Sequence, residues 1–263
     1  MRYILKPIRL FIGIILLLLL GPAIIAFSGE VDLKTPWSEA NHDRIGIAPN
    51  PADTPEAIVQ VYGARTFNWR GAFAVHTWIA VKPENASSYT RLEVIGWRRY
   101  RGLPVISATA AWPDRNWFGA KPEIYYELRG QEAQQIIPQI IEAARSYPYP
   151  EEYEAWPGPN SNTFTAHVLR HVPDMEVDLP PTAIGKDYLD ESNHFMASAP
   201  SNTGVQISLY GVVGAVGAIL AKSEGIEINL LGLNFGLDPD NLAVRLPGIG
   251  KLGFIPDTVP APE

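Results

Sequence analysis

The sequence predicts an α+β fold: an antiparallel β meander packed on two helices, with a C-terminal β extension and one N-terminal transmembrane helix. Three observations predict it. Between Glu56 and Leu128 the chain offers five short runs rich in β-branched and aromatic residues, AIVQVYGAR, AFAVHTWIAVK, TRLEVIGWRRY, PVISATAAW and EIYYELR, separated by Gly, Pro and Asn. Two segments, 131–147 and 163–172, carry helical patterning instead. Beyond Asp187 strand signals return and continue almost to the end.

The first element is the run Leu10 to Phe27, eighteen residues without a charge. At 1.5 Å per residue it measures about 27 Å, close to the hydrocarbon thickness of a bilayer. Arg2, Lys6 and Arg9 precede it and Glu30 and Asp32 follow it. The positive-inside rule therefore places Met1 in the cytoplasm and the bulk of the chain beyond a bacterial inner membrane, in the periplasm. A cleaved signal peptide is the competing reading, because Gly21-Pro22 breaks the apolar run and Ala26-Phe27-Ser28 offers small residues before Gly29. Residues 29–55 hold four prolines and no sustained period, so they read as a linker lifting the domain off the bilayer. The resulting organisation is 1–28 anchor or signal, 29–55 linker, 56–190 α+β core and 191–263 β extension.

Within the core, Ile136, Ile137, Ile140, Ile141 and Ala144 line one side of the first helix despite Pro138. Asn160 or Ser161 reads as the N-cap of the second, which Pro173 closes. In the extension, VQISLYGVVGAVGAIL is too polar and glycine-rich for a second span and reads as a strand with bends at Gly211, Gly214 and Gly217. The string GIGKLG at 248–253 spells a dinucleotide fingerprint, but no βαβ unit can follow it, so no cofactor is expected there.

Charge and composition exclude several functions. The chain carries −7 overall, and since three cations and no acid lie in the first ten residues, the remainder carries −10. Phosphate-backbone binding is thereby disfavoured, and no nucleic-acid partner is expected. With no cysteine, disulfides, thiolate nucleophiles and Cys-ligated zinc are excluded. His167 and His171 have a metal-binding spacing but no third ligand nearby in sequence, so they read as a helix face with His171 at the favourable end of the dipole. No metal is expected.

The candidate site joins His76 to the segment 157–164. Strand alternation sends His76, Trp78 and Ala74 to one face and Val75 and Thr77 to the other. Ser161 opens a helix, where unpaired backbone N–H groups and the dipole stabilise developing negative charge. Glu93, on the following strand, is placed to orient His76. The catalytic expectation is His76 as base, Ser161 as nucleophile and Glu93 as orienter, with Asn160, Asn162, Trp78 and Trp156 lining the binding cleft. The simpler reading is that Ser161 or Asn160 only caps the helix while His76 is packed within the sheet.

The motifs AVHTWIAV and Asn160-Ser161-x-x-Phe164 resemble the permuted branch of the papain-like fold, the NlpC-type and lecithin:retinol acyltransferase-like hydrolases and acyltransferases. In that branch a strand histidine precedes an Asn-Cys-x-x-Phe helix start. The resemblance implies that His76 matches the base and Ser161 the cysteine nucleophile, with Glu93 as an unaligned third member. Serine in the cysteine's place depends wholly on its base. Across most of residues 60–250, WPGPNSNTFTAHVLRHVP, LPPTAIGKDYL and INLLGLNFGLDP resemble an uncharacterised family of bacterial membrane-anchored proteins, a domain of unknown function, which implies no activity. Three functions stay open: a hydrolase or acyltransferase acting on an envelope amide or ester, an inactive cleft binding a peptidoglycan or lipid ligand, and a structural or interaction module of the cell envelope in which Trp112, Trp117 and Trp156 form a docking surface.

Overall fold

The computed structural model describes residues 2–189, 195–209 and 216–253. It is an α+β structure of two antiparallel sheets and four α-helices among the described residues. Helices α1 (Arg2–Leu18) and α2 (Leu20–Ser28) form an almost continuous apolar rod. Pro22 lies in the first turn of α2, where its missing N–H is tolerated. Lys6–Ser28, 23 residues, is long and apolar enough to cross a membrane.

The base of this rod is built into the domain. Gly21 and Pro22 are buried against the turn at 247–249, and a Cβ on Gly21 would lie 2.1 Å from the carbonyl oxygen of Pro247. A Cβ on Gly248, at φ +70°, would lie 2.6 Å from the Pro22 nitrogen, so both contacts require glycine. Ile25 and Val31 pack with Ala72. Arg65 ties the pieces together by donating to the carbonyls of Gly71 and Gly248 and pairing with Glu30.

Strands β1 (Ile58–Arg65), β2 (Val75–Lys82), β3 (Thr90–Val94), β4 (Ile106–Ala110) and β5 (Glu123–Arg129) form the first sheet in the order β4-β3-β2-β1-β5. The first four make the expected meander. β5 departs from it, pairing with β1 on the opposite edge. Period-2 alternation gives this sheet two buried faces. Val59, Val61, Val75, Ile79, Val81, Leu92 and Val94 face α3 (Gly130–Arg145) and α4 (Ser161–Arg170), meeting Ile136, Ile140, Phe164 and Leu169. Ile58, Tyr62, Trp78 and Ala80 lie on the other face under Trp112 and Trp117.

Residues 29–55 do not lift the domain away. They run along the second face, where Arg44 pairs with Asp114 at 3.0 Å, the Ala48 amide donates to the same carboxylate, and Pro49 accepts from the Tyr89 hydroxyl. A buried carboxylate that needs donors holds this segment down.

The second sheet is a seven-stranded meander, β6 (Met196–Ser198), β7 (Gly204–Leu209), β8 (Val216–Ala221), β9 (Gly225–Leu230), β10 (Leu233–Asp238), β11 (Ala243–Leu246) and β12 (Gly250–Gly253). The run expected as one bent strand is a β7–β8 pair, Leu209 opposite Val216, with Gly211 and Gly214 outside the described residues. GIGKLG forms the β11–β12 turn and β12, as its sequence context implied. The faces of this sheet are reversed. Gln206, Glu227, Asn229, Asp238 and Arg245 point inward and are buried, whereas Val205, Ile207, Leu220, Ile226, Ile228, Leu237, Val244 and Leu252 point outward, 40% to 61% exposed.

Candidate functional site

Expected residue pairs can be followed strand by strand. His76 and Glu93 do meet: the His76 Nε2 lies 2.9 Å from the Glu93 carboxylate, which also accepts from Arg91 at 2.8 Å. Pairing of β2 with β3 sets this geometry, because residues 76, 91 and 93 all fall on the face turned away from the helices. Burial holds the His76 imidazole below its ordinary range, despite the opposing pull of Glu93. Burial pushes Glu93 up, but the hydrogen bond from His76 together with the charge and hydrogen bond of Arg91 outweighs it, so its carboxyl stays ionised and low. The consistent state is a neutral imidazole donating its Nε2–H to a carboxylate whose charge Arg91 balances.

The surroundings of that group close it off. The imidazole stacks on Trp117 at 3.6 Å between centroids, Trp78 stacks on Tyr62, and the Arg91 guanidinium lies 4.3 Å over the Trp78 ring. Trp78 donates its indole N–H to Pro113 and is fully buried. The His76 and Glu93 side chains are each 6% exposed, buried beneath Trp117. The cluster joins β2, β3 and the 112–118 segment as a buried polar knot within aromatic packing, in which Arg91 Nε is left without a hydrogen-bond partner.

Ser161 lies on the opposite face of the sheet. Helix α4 rests on Thr77, whose hydroxyl donates to Asn162 Oδ1 and pairs with Thr165, and Asn162 donates to the carbonyls of Val75 and Ile184. β2 is an interior strand with β1 and β3 on its flanks, so a side chain on one face cannot reach round to the other. His76 and Ser161 therefore share no cleft, and the expected base–nucleophile pair is not assembled. One residue of strand phase decides it: Thr77, not His76, faces the helix.

Neither does Ser161 cap the helix. Asn160 does: its Oδ1 accepts from the Asn162 and Thr163 amides at 2.9 and 3.2 Å, while Thr163 Oγ1 accepts from the Asn160 amide. Asn160 also donates to the carbonyls of Ala155 and Ile184. The expected binding residues Asn160, Asn162 and Trp78 are thus buried and committed internally. Trp156 is half exposed, but on the β9–β10 turn, where its indole donates to the carbonyl of Leu231. The tryptophans expected as one docking surface are divided, since Trp112 and Trp117 cover the His76 face.

A cavity of about 340 Å³ opens elsewhere, between α4, residues 147–149 and β6. Tyr147, Tyr149, Tyr188, His167, Arg170 and His171 line it. The two imidazoles sit 4.2 Å apart, with His167 Nε2 3.1 Å from the carbonyl oxygen of Ala143 and His171 Nδ1 2.8 Å from that of His167. Each ring thus spends a nitrogen on a backbone carbonyl, and among the described residues no group of three His, Cys, Asp or Glu converges on a metal position. Sequence reading singled out the two histidines but not the tyrosines: Tyr147 and Tyr149 lie in a Pro-rich stretch without periodicity, and Tyr188 lies in the irregular segment after α4.

Beneath the second sheet lies a layer of buried charge. Glu227 bridges Lys186 and Arg245, Arg245 reaches Asp178 at 2.8 Å, Lys251 pairs with Asp178 and Asp238, and Asn229 donates to Asp187. Burial disfavours the Lys186 ammonium, but Asp187 and Glu227 more than compensate and raise its pKa. This network fastens the sheet to residues 178–187.

Residues 56–188, half of the chain, match the model of a family described as Protein of unknown function (DUF3750). No curated protein and no solved structure matches. The matched segment contains the first sheet, α3, α4 and all of residues 178–187, and stops before the second sheet.

Proposed function

The chain belongs to the DUF3750 family of proteins of unknown function, and for it we propose a single-pass envelope protein whose domain sits on the periplasmic face of a bacterial inner membrane and works there as a non-catalytic interaction module. One observation carries this reading: the base of the apolar helix is part of the folded domain. Gly21, Pro22 and Ile25 are buried within it, and Arg65 clamps the following turn through Glu30. Cleavage near Ser28 would strip packed side chains from the domain, which favours a retained anchor over a signal peptide. The charge asymmetry from Arg2 to Asp32 supports the outward orientation.

The hydrolase reading is not carried forward, because its base and nucleophile occupy opposite faces of one sheet. The test combines topology, processing and chemistry. A reporter fused after residue 60 works only when exported, the chain isolated from membranes retains its N-terminus, and a serine-directed probe leaves it unlabelled. A mature chain beginning at Gly29, or a reporter active only in the cytoplasm, overturns the anchor. Covalent labelling at Ser161 overturns the non-catalytic assignment.

A further inference from the structure

The outer face of the second sheet is not a scatter of apolar residues. Antiparallel pairing aligns Val205, Leu220, Ile226, Leu237, Val244 and Leu252 in one row across six strands. A second row runs Met196, Ile207, Ala218, Ile228 and Phe235. At about 4.8 Å per strand the longer row spans about 24 Å. Contiguous apolar surface of this kind marks a contact with something other than water.

The ends of the sheet differ in polarity. Among the described turns, the end of the sheet that meets the apolar helix has Leu231-Gly232 and Pro247-Gly248-Ile249, the latter against Gly21 and Pro22; the far end has Lys222-Ser223-Glu224 and Pro239-Asp240-Asn241-Leu242, where the charges stand beside one exposed leucine. Trp156, half exposed with its indole N–H satisfied, stands at the helix end, as an interfacial tryptophan does at a bilayer boundary.

Length arithmetic fixes the depth. A hydrocarbon core of about 30 Å takes about 20 helical residues, and the uncharged run supplies eighteen. Its last seven residues, Gly21 to Phe27, lie alongside the domain and account for about 10 Å of that span. The 247–249 turn, in contact with Gly21 and Pro22, consequently lies about 10 Å inside the outer lipid boundary that Phe27 marks.

We propose that the outer face of the seven-stranded sheet lies against the outer leaflet of the bilayer that the N-terminal helix enters, making a second, non-covalent membrane contact. This rests on the anchored reading above. The row residues meet acyl chains and the inner boundary of the headgroups, while the charged far-end turns remain in water. The partner is bulk bilayer lipid, since the face is bounded by the base of the helix that enters the bilayer.

The absence of cysteine permits a direct test on the full chain. Single substitutions Leu220→Cys, Ile228→Cys and Leu231→Cys, with Asp240→Cys at the far end, are nitroxide-labelled and the protein is reconstituted in vesicles of phosphatidylethanolamine and phosphatidylglycerol. All four positions are exposed, so the labels leave the core intact. Collision with oxygen should exceed collision with a water-soluble nickel chelate at the first three, and the order should reverse at Asp240→Cys. Equal access to nickel at all four, in protein that resists alkaline extraction, overturns the proposal and leaves the anchor standing. Dipolar broadening that disappears on dilution with unlabelled chain shows a second copy on the face and overturns it as well. Extraction of the protein by alkali overturns the anchor and the proposal together.

Discussion

The two sheets of this molecule have the same period and opposite polarity. In the first, Val61, Ile79 and Leu92 are buried against helices, and the polar residues on its second face are tied up under Trp112 and Trp117. In the second, Glu227, Asn229 and Arg245 are buried, while Ile226, Ile228 and Val244 face outward. Alternation defines two faces in each case, yet it does not say which is inside. The partner decides. Helices α3 and α4 present isoleucine and phenylalanine to the first sheet, whereas residues 178–187 present Asp178, Lys186 and Asp187 to the second. Desolvating that second layer is costly, and close pairing offsets it.

The sharpest way to break this comparison is Glu227→Ala, which leaves Lys186 and Arg245 buried without their shared carboxylate. A loss of about 3–5 kcal/mol is expected, read by chemical denaturation of the full chain in detergent. A loss below about 1 kcal/mol, the worth of an exposed pair, shows that the charged layer does not hold the sheet. Next in size is Ile140→Ala in the first core, expected to cost about 2–5 kcal/mol, set against Ile228→Ala on the outer face, expected within about 0.5 kcal/mol in the same medium. Equal costs at the two isoleucines refute the reversal of faces.

Smaller effects sharpen the picture of the abandoned catalytic pair. Asn160→Ala should cost about 0.5–2 kcal/mol as a lost cap, while Ser161→Ala, which removes neither cap nor partner, falls below it in the same denaturation series. The reverse order would return the cap to Ser161. Smallest is a pH effect on the His76 cluster. Burial holds the folded imidazole below its ordinary value of 6.5, so the unfolded chain takes the proton first. The stabilisation is present above about pH 6.5 and is lost as pH falls below it. His76→Gln should flatten that part of the stability profile; an unchanged slope between pH 6.5 and 5 assigns it to other groups.

Much of this was legible because it is local. The apolar run at 10–27, the strand runs of the first sheet and the two helices each declare themselves through period and composition. Glu93 beside His76 was readable from adjacent strands, and Arg91 was readable by the same rule, two residues earlier on the same face. Trp117 was not, because it reaches His76 from an irregular segment that carries no register. The packing of 29–55 was hidden for a similar reason: what holds it is Asp114, about 70 residues away in the chain.

Sequence alone thus determined the fold class, an apolar helix at the N-terminus, and the pairing of His76 with Glu93. Only the tertiary structure decided that His76 and Ser161 are separated, that Asn160 caps α4, and that the second sheet turns its charges inward. The physical reason is common to all three. Periodicity sorts side chains into two sets along a strand or around a helix, but which set is buried depends on what packs there, and that partner comes from distant sequence.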